Sequence, residues 1–248
     1  MAAKNFLQIL ALFLIGMAGG IFADQILWPY FIERPLFEQY GLKQGPIYLT
    51  EKTENTFYVQ ENTAIRDSVQ DVLPAVVGVK TRIASGEILE GSGLVLTSDG
   101  LIVTLAGLAP KGSEFAFFVD GKWPAFQVLK RDLENNLALI KVERGGLKSR
   151  GFADMEKIKL AEPVFLVGTD FAAALSSTTA PQDTVNAGMI TAFNENLIET
   201  NIFEKKKISG SPLFDVEGRV VGLIVIDEIS GGRVSAIPAD IIRTFAGF

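Results

Sequence analysis

The feature that most constrains the fold is a long succession of short apolar runs that follows Pro74. Turn residues separate the runs, as in S-D-G at 98–100, D-G-K at 120–122 and D-V-E-G at 215–218. The runs are A-V-V-G-V-K-T, S-G-L-V-L-T, L-I-V-T-L, F-A-F-F-V, A-F-Q-V-L-K-R, L-A-L-I-K-V, P-V-F-L-V-G, T-V-N-A-G-M-I-T-A-F, L-I-E-T-N-I, S-P-L-F, R-V-V-G-L-I-V-I and R-V-S-A-I-P. Many short strands at regular spacing predict an all-β antiparallel sandwich or barrel.

Two helical patterns bracket the strand-like region. The segment E-N-T-A-I-R-D-S-V-Q-D-V-L, which starts at Glu61, has apolar residues near helical spacing and stops at Pro74. At the carboxyl end, P-A-D-I-I-R-T-F starts at Pro238, and proline is favoured at a helix start. These patterns predict a short amphipathic helix before the strands and a closing helix after them.

The amino end has the pattern of a membrane-spanning helix. The run from Phe6 to Ala23 carries no charge, and as a helix it would span about 27 Å, close to the ~30 Å hydrocarbon core of a bilayer. Trp28 and Tyr30 follow where an interfacial aromatic belt is expected. We therefore predict an anchor at residues 1–23, followed by a proline-containing juxtamembrane segment and linker at 24–60.

A cleaved signal peptide is the alternative interpretation of the amino end, because I-F-A precedes Asp24. The apolar run is long and its positive flank is weak, and both features favour an uncleaved anchor. Lys4 and the initiator amine bias the short amino end towards the cytoplasm. The predicted protein is a single-pass membrane protein whose folded domain lies outside the cytoplasm, in the periplasm or at the cell surface.

Composition excludes several kinds of site. The 248 residues include no cysteine and no histidine, so disulfides, thiolate nucleophiles and the commonest general base and metal ligand are absent. The net charge of −6 argues against a nucleic-acid-binding protein. A metal site would need clustered carboxylates, and the D-V-E-G pair is better interpreted as a strand-joining turn. We expect no metal and no cofactor.

Six motifs in one order resemble the trypsin-like serine proteases of the HtrA/Deg type, over residues 61–245. They are V-L-P-A-V-V-G-V, G-S-G-L-V-L-T-S-D-G-L-I-V-T, N-L-A-L-I-K-V, A-G-M-I-T-A-F, I-S-G-S-P-L-F-D-V-E-G-R-V-V-G-L and A-I-P-A-D-I-I. The resemblance implies two perpendicular six-stranded antiparallel Greek-key barrels within 61–248, at about 75–150 and 155–240. The active site would lie in the cleft between them. We expect no carboxy-terminal PDZ domain, which many relatives use to bind peptides.

The same resemblance implies that the catalytic triad is degenerate. In T-L-A-G-L, Gly107 stands where the family has its base histidine, and Asn136 stands where N-L-A-L would open with the orienting aspartate. Ser209 remains at the position of the nucleophile. Lys207 replaces the glycine whose N–H helps to form the oxyanion hole, and Ser211 replaces the second glycine after the serine. A serine without an adjacent base is a poor nucleophile, so we expect a catalytically inactive pseudoprotease.

A residual or rewired serine hydrolase is the enzymatic alternative. A serine–lysine dyad could use Lys205, Lys206 or Lys207, provided that the amine were neutral at the working pH. A run of three lysines in a loop is more simply a solvated charged patch. Paired carboxylates that activate water have no support, since the cleft positions are glycine, asparagine and serine.

If the chain does not cleave peptides, binding is its predicted activity. The candidate binding residues lie around the serine motif and are Asn201, Lys205, Lys206, Lys207 and Ser211. The aromatic residues Phe115, Phe117 and Phe118 beside Trp123 could form a peptide surface, although strand alternation favours a core role for one side.

The expected partner is a protein or an extended peptide, bound by strand addition at a sheet edge near the cleft. The predicted function is that of a scaffold or a regulator of active proteases in the cell envelope. A purely structural subunit of an envelope complex stays open as an alternative, and so does self-association.

Overall fold

The structure is a computed structural model that describes residues 2–27, 61–171, 181–229 and 231–248. The chain divides into two compact units, Met1–Tyr58 and Val59–Phe248, and each is described by itself. Trp28, Tyr30 and most of the predicted linker lie outside the described residues.

The described part of the first unit is helical. Helix α1 comprises Ala2–Phe22 and continues into a π-helical turn at Ala23–Leu27. The stretch Gln8–Gln25 is long and apolar enough to cross a membrane, and none of it is buried within the protein. A signal sequence near the amino terminus has the same length and composition, so both interpretations of this helix stay open.

The second unit begins with the predicted amphipathic helix. Helix α2 comprises Glu61–Val72 and ends in a 3₁₀ turn that contains Pro74. Ser68 Oγ donates a hydrogen bond to the Val216 carbonyl at 2.5 Å, and Val72 is fully buried. These contacts fix α2 against a turn of the second sheet, so the sequence prediction of this helix is confirmed.

Twelve strands form the body of the described part of this unit. The first six are β1 Val76–Arg82, β2 Ile88–Val95, β3 Leu101–Leu105, β4 Glu114–Phe118, β5 Phe126–Asp132 and β6 Leu137–Val142. The second six are β7 Pro163–Asp170, β8 Gln182–Phe193, β9 Ile198–Phe203, β10 Pro212–Asp215, β11 Val220–Asp227 and β12 Arg233–Pro238. Helix α3, Ala239–Ala246, has Pro238 as its N-cap and closes the domain as predicted.

The two sets of strands form two separate antiparallel sheets. Strands β7 to β12 form a closed barrel in the order β10-β11-β12-β9-β8-β7. The first set forms a six-stranded sheet in the order β4-β1-β2-β3-β6-β5. The all-β fold with two six-stranded, barrel-like sheets is therefore confirmed, whereas the Greek-key classification stays a prediction.

The first sheet differs from the expected closed barrel because its edge strands β4 and β5 do not pair. The chain leaves β4 through a turn at Asp120 and Gly121, which both have positive φ, and Pro124 then lacks a backbone donor. Aromatic side chains fill the gap instead. The Phe126 ring lies 5.1 Å from Phe115 and 5.0 Å from Phe117 between centroids. Ring packing rather than a hydrogen-bonded ladder thus closes this side of the sheet.

Two hydrophobic cores hold the domain together. The first core joins the first sheet to Phe165, Phe214 and other residues on the outer face of the second barrel, and to Phe245 of α3. The second core fills the interior of that barrel, with Leu166, Leu213 and their neighbours. Because the first core includes residues from both sheets, the two sheets form one continuous packed unit.

Candidate functional site

A cleft of about 440 Å³ lies between the two sheets and contains the three triad positions. The first sheet contributes its β1–β2 hairpin, the end of β3 and the start of β6. The second contributes the serine loop and the end of β11. The lining residues are Glu87, Ile88, Leu89, Glu90, Leu105, Gly107, Leu108, Asn136, Lys206, Lys207, Ser209, Val225, Ile226 and Glu228.

Gly107 and Asn136 are adjacent in this cleft. Gly107 lies in the 3₁₀ turn Ala106–Leu108 after β3, and its N–H donates to Asn136 Oδ1 at 3.0 Å. Asn136 precedes β6 with φ of 53°, a left-handed conformation that asparagine tolerates. Its carbonyl also accepts from the Ala106 N–H at 3.0 Å. These two hydrogen bonds join the turn after β3 to the start of β6. Neither a glycine nor an asparagine amide can act as a general base.

Ser209 follows the 3₁₀ turn Lys206–Ile208 and borders the same cleft. Ser209 is only 7% exposed. Within the described ranges, no hydrogen bond involves Ser209 Oγ. Among the described residues, no group is hydrogen-bonded to this hydroxyl in a position to take its proton.

One backbone donor of the expected oxyanion hole, the Ser209 N–H, is already hydrogen-bonded within the serine loop. An oxyanion hole needs N–H groups that point at the developing charge and have no other acceptor. Here the Ser209 N–H donates to the Lys206 carbonyl at 2.8 Å, and the Ile208 N–H donates to the Lys205 carbonyl at 3.2 Å. Lys207 lies inside the turn and is not among the residues with positive φ. The Lys206 carbonyl thus occupies a donor that catalysis would require, a feature that the sequence motifs do not reveal.

The lysines of the loop form ion pairs rather than a dyad with the serine. Lys207 Nζ is paired with the Asp170 carboxylate, and Lys206 Nζ lies 3.2 Å from Glu228 Oε2. An ammonium group that donates to a carboxylate has no lone pair with which to accept a proton. Lys205 is exposed and does not line the cleft. The described geometry therefore gives no support to a serine–lysine dyad.

On its buried side, the serine loop packs closely against β2. The Ser92 N–H donates to the Ser209 carbonyl at 2.9 Å, and Ser92 itself is fully buried. A Cβ added to Gly91 would lie 2.6 Å from the Ser209 oxygen, and one added to Gly210 would lie 2.4 Å from the Ser92 oxygen. Because backbone meets backbone here, only glycine fits at either position.

Strand β2 offers a free edge to the cleft. It pairs with β1 along its whole length, but with β3 only from Gly93 onward. Ser92 directs both its N–H and its carbonyl away from β1, to Ser209 and to Thr104. Since strand residues alternate, the N–H and carbonyl groups of Glu90 and Ile88 also point away from β1. Both residues line the cleft.

Other predicted binding residues lie elsewhere. Asn201 is on β9, and its Oδ1 accepts a hydrogen bond from the Met189 N–H at 2.8 Å. Ser211 is fully buried and donates to the Ile208 carbonyl at 2.7 Å. Neither residue lines the cleft, so Lys206 and Lys207 are the members of the predicted set that do. Asn201 Oδ1 and Ser211 Oγ thus each bond to backbone within the second barrel.

The aromatic residues also lie outside the cleft lining. Phe117 is fully buried in the core, whereas Trp123 is 51% exposed. The Trp123 ring lies 5.2 Å from Phe118 and 6.0 Å from Phe171 between centroids. The core role that alternation favours is therefore confirmed for Phe117.

The D-V-E-G segment forms the turn between β10 and β11. The buried Asp215 carboxylate accepts from the N–H groups of Glu217 and Arg219 at 3.1 and 2.9 Å, and from Arg219 Nε at 2.7 Å. This carboxylate raises the pKa of the Arg219 guanidinium. Gly218 supplies the positive φ of 74° that the turn requires. The carboxylate of this turn is thus used internally, as expected for a structural turn.

Comparison with known proteins agrees with this architecture. A family model of the trypsin-like peptidase domain matches residues 91–223, more than half of the chain. The chain belongs to the trypsin-like peptidase family. The match extends from Gly91, beside the serine loop, to Leu223 of β11.

The similar curated proteins are HtrA-type. A probable periplasmic serine endoprotease DegP-like from Halomonas elongata is 28% identical over 139 residues, and one from Hahella chejuensis is 30% identical over 139 residues. Serine protease HTRA1 from Xenopus laevis is 29% identical over 131 residues. Each alignment covers 51% of this chain but only 28% of the relative. The chain therefore matches a small part of the length of these relatives.

A solved structure shows the same fold. The HtrA-type protease AlgW with tripeptide superimposes with a TM-score of 0.62 at 23% sequence identity. The superposition covers 71% of this chain and 60% of that one. Together with the family match, it identifies an HtrA-type trypsin fold.

Proposed function

We propose that this chain is a catalytically inactive homologue of the trypsin-like peptidases that binds an extended peptide or protein segment in its cleft. The observation that carries the proposal is the hydrogen bond from the Ser209 N–H to the Lys206 carbonyl, beside Gly107 and Asn136 in place of a base and its acid. Loss of the base alone typically lowers turnover by about 10⁶-fold. A tied oxyanion donor adds a further loss of about 10²–10³.

The free edge of β2 supports binding by strand addition. Glu90 and Ile88 present N–H and carbonyl groups along the cleft, which an extended segment can pair with. This mode uses main-chain hydrogen bonds and needs no catalytic residue. It suits a scaffold or a regulator that holds a partner without cleaving it.

The amino-terminal helix supports a place at the membrane. In this proposal α1 anchors the protein as a single span, with its amino end in the cytoplasm and the trypsin-like domain of residues 61–248 in the cell envelope. Two similar relatives are described as periplasmic. A short linker at 24–60 would join the anchor to the domain, and self-association of the anchored domains stays open.

The enzymatic alternative is a residual hydrolase that uses Ser209, and it is favoured only by the unbonded Ser209 hydroxyl in the cleft. A fluorophosphonate probe on the full chain in detergent, compared with Ser209→Ala, separates the two. We expect the same faint labelling of both proteins. Stoichiometric labelling that disappears in Ser209→Ala would contradict the proposal of an inactive homologue.

The alternative of a structural subunit differs in where the partner binds. Glu90→Pro removes a main-chain donor from the free edge of β2. Glu195→Pro, in the exposed turn between β8 and β9 and outside the cleft lining, is the matched control. If partners co-purify equally with wild type and Glu90→Pro, the cleft is not the binding site and the structural role is favoured.

A further inference from the structure

Gly107 leaves an open space in the cleft. A Cβ built on Gly107 would meet only Asn136 Oδ1, at 3.6 Å, which is an ordinary van der Waals contact. Gly107 is not among the glycines with positive φ, so its backbone does not itself require glycine. The missing side chain is therefore a vacancy in the wall of the cleft rather than a steric necessity.

The cleft that contains this vacancy is lined by apolar residues from both sheets as well as by polar ones. Leu105 and Leu108 flank Gly107 from the same turn, and both are largely buried. The opposite walls carry apolar side chains of β2 and β11, namely Ile88, Leu89, Val225 and Ile226. A ligand side chain placed here loses water contact against hydrocarbon, which stabilises apolar groups and penalises polar ones.

Two hydrogen-bond donors face the cleft without a partner. Asn136 Oδ1 accepts from the Gly107 N–H, and this contact assigns the amide orientation and leaves Nδ2 as the other group. Across the described residues neither Asn136 Nδ2 nor Ser209 Oγ has a hydrogen-bond partner. Both groups border the cleft with Gly107. A main-chain carbonyl of a bound segment is an acceptor that either group can reach through rotation of its own side chain or of the ligand.

The charges at the rim favour a basic residue next to the apolar one. Glu90 is paired with Lys80 at 3.6 Å, and Glu228 is paired with Lys206 at 3.2 Å. Glu87, exposed at the same rim, has no ion pair among the residues that the structure describes. A lysine or arginine of the ligand would complement this carboxylate.

From these observations we propose that the Gly107 vacancy is a side-chain pocket of the binding cleft. It takes a large aliphatic or aromatic side chain of an extended segment, whose adjacent carbonyl accepts from Asn136 Nδ2 or Ser209 Oγ and whose basic residue faces Glu87. This inference rests on the proposed peptide-binding function and specifies its ligand. Asn136 and Ser209 then donate hydrogen bonds to the carbonyl of the bound segment, and Gly107 forms the floor of the pocket.

The test uses the full chain in nanodiscs of neutral lipid and a series of fluorescein-labelled octapeptides. The peptides share one arginine in a serine- and threonine-rich sequence and differ at one central residue, which is alanine, leucine, phenylalanine or aspartate. Fluorescence anisotropy measures each Kd. We expect the leucine and phenylalanine peptides to bind at least about 10-fold more tightly than the alanine peptide. Burial of a side chain of that size lowers the free energy of binding by a corresponding amount. Aspartate should bind most weakly.

A filled pocket should remove this preference. Gly107→Leu places an aliphatic side chain in the vacancy, and we expect the leucine and alanine peptides then to bind equally. The matched control is Gly145→Leu, since Gly145 is exposed, has no positive φ and has nothing near its Cβ. Gly145→Leu should leave the full preference intact. A circular dichroism melt checks that both variants fold.

The two donors are tested with variants that each remove one donor. Asn136→Asp keeps the acceptor for the Gly107 N–H but loses the Nδ2 donor, and Asn194→Asp makes the same change in a remote turn. Ser209→Ala is compared with Ser98→Ala, in the exposed turn between β2 and β3. We expect about 3- to 10-fold weaker binding for the two cleft variants and no change for the two controls.

The outcomes separate this inference from the function on which it rests. If no peptide of the series binds to wild type, both the pocket and the proposed function are overturned. If the peptides bind but leucine, phenylalanine and alanine are equivalent, the pocket is overturned and the cleft-binding function stands. A preference that survives Gly107→Leu also overturns the pocket, because another site must then read the side chain. The wild-type series decides the matter even if a variant fails to fold.

Discussion

The two sides of the serine loop differ sharply in what holds them. On the buried side, Gly91 and Gly210 let the backbone of β2 and of the loop approach so closely that an added Cβ would lie within 2.6 Å of a backbone oxygen. On the cleft side, Gly107 has open space, and Asn136 makes a single side-chain contact with it. The first side is fixed by close backbone packing. The second is held by two hydrogen bonds between the Gly107 turn and Asn136, and by the ion pairs of the serine loop.

Under the proposed inactive role, this difference accounts for a serine loop that keeps Gly210 and a cleft that has Gly107 where the family pattern has histidine. Any change at Gly91 or Gly210 would separate the two sheets at a shared backbone contact, whatever the protein does. At Gly107, in contrast, an added Cβ would meet open space in the cleft. If hydrolysis is not required, as we propose, a change at Gly107 should cost little folding free energy.

The largest effect is expected from Gly210→Ala. Gly210 has φ of 84°, and its Cβ would lie 2.4 Å from the Ser92 oxygen, so strain and a backbone clash add. We expect a loss of at least about 3 kcal/mol in the free energy of unfolding, measured by urea denaturation. Gly112→Ala, with φ of 80° and open space, isolates the strain and should cost about 1–2 kcal/mol. Equal losses for the two variants would show that the close approach to β2 is unimportant.

Sequence patterns predict most of this buried framework because its constraints are local or motif-like. The strand runs, the helix that stops at Pro74 and the closing helix after Pro238 all follow from short-range spacing and turn residues. The resemblance also brings Gly107, Asn136 and Ser209 to one cleft, as the structure does. These predictions need only the order of the elements and the family pattern.

Features that depend on distant contacts were not predictable in this way. The open side of the first sheet follows from the packing of Phe126 on Phe115 and Phe117, which no local pattern encodes. The Lys206 carbonyl that ties the Ser209 N–H follows from the exact backbone path of a single turn. Asn201 was a candidate binding residue by its sequence position, yet a neighbouring strand uses its side chain.

A smaller loss is expected from Ser211→Ala, also on the buried side. Ser211 Oγ donates to the Ile208 carbonyl at 2.7 Å in a fully buried site, and this contact steadies the turn that precedes the serine. We expect a loss of about 1 kcal/mol in the free energy of unfolding. Ser98→Ala, in an exposed turn, is the control and should change little. A loss below that of the control would mean that the buried side is held by its glycines alone.

The ion pairs of the cleft side should matter less. Lys207→Ala removes the half-buried pair with Asp170, and Lys206→Ala removes the exposed pair with Glu228. We expect losses below about 1 kcal/mol for Lys207→Ala and close to zero for Lys206→Ala, both reduced further by added salt. Thermal melts of each variant at low and high salt measure the loss of stability and its dependence on salt. A loss as large as that of Gly210→Ala would break the contrast between the two sides.

A similarly small change in stability is expected when histidine and aspartate are placed at the expected triad positions. In the double variant Gly107→His and Asn136→Asp, the new Cβ meets open space and aspartate tolerates the left-handed backbone at 136. The free energy of unfolding should shift by no more than about 0.5 kcal/mol. A fluorophosphonate probe should still not label Ser209, because its N–H remains bonded to the Lys206 carbonyl.

Adding Lys207→Gly to that double variant tests the turn itself. Glycine can adopt the backbone angles that would rotate the Lys206 carbonyl away from the Ser209 N–H and free it for an oxyanion. We expect labelling to rise only in this triple variant, since a restored oxyanion donor is worth about 10²–10³ in rate. Matched samples with Ser209→Ala define the background. If the double variant already reacts at the rate of the triple, the turn rearranges freely, and the absence of His and Asp alone accounts for the inactivity that we propose.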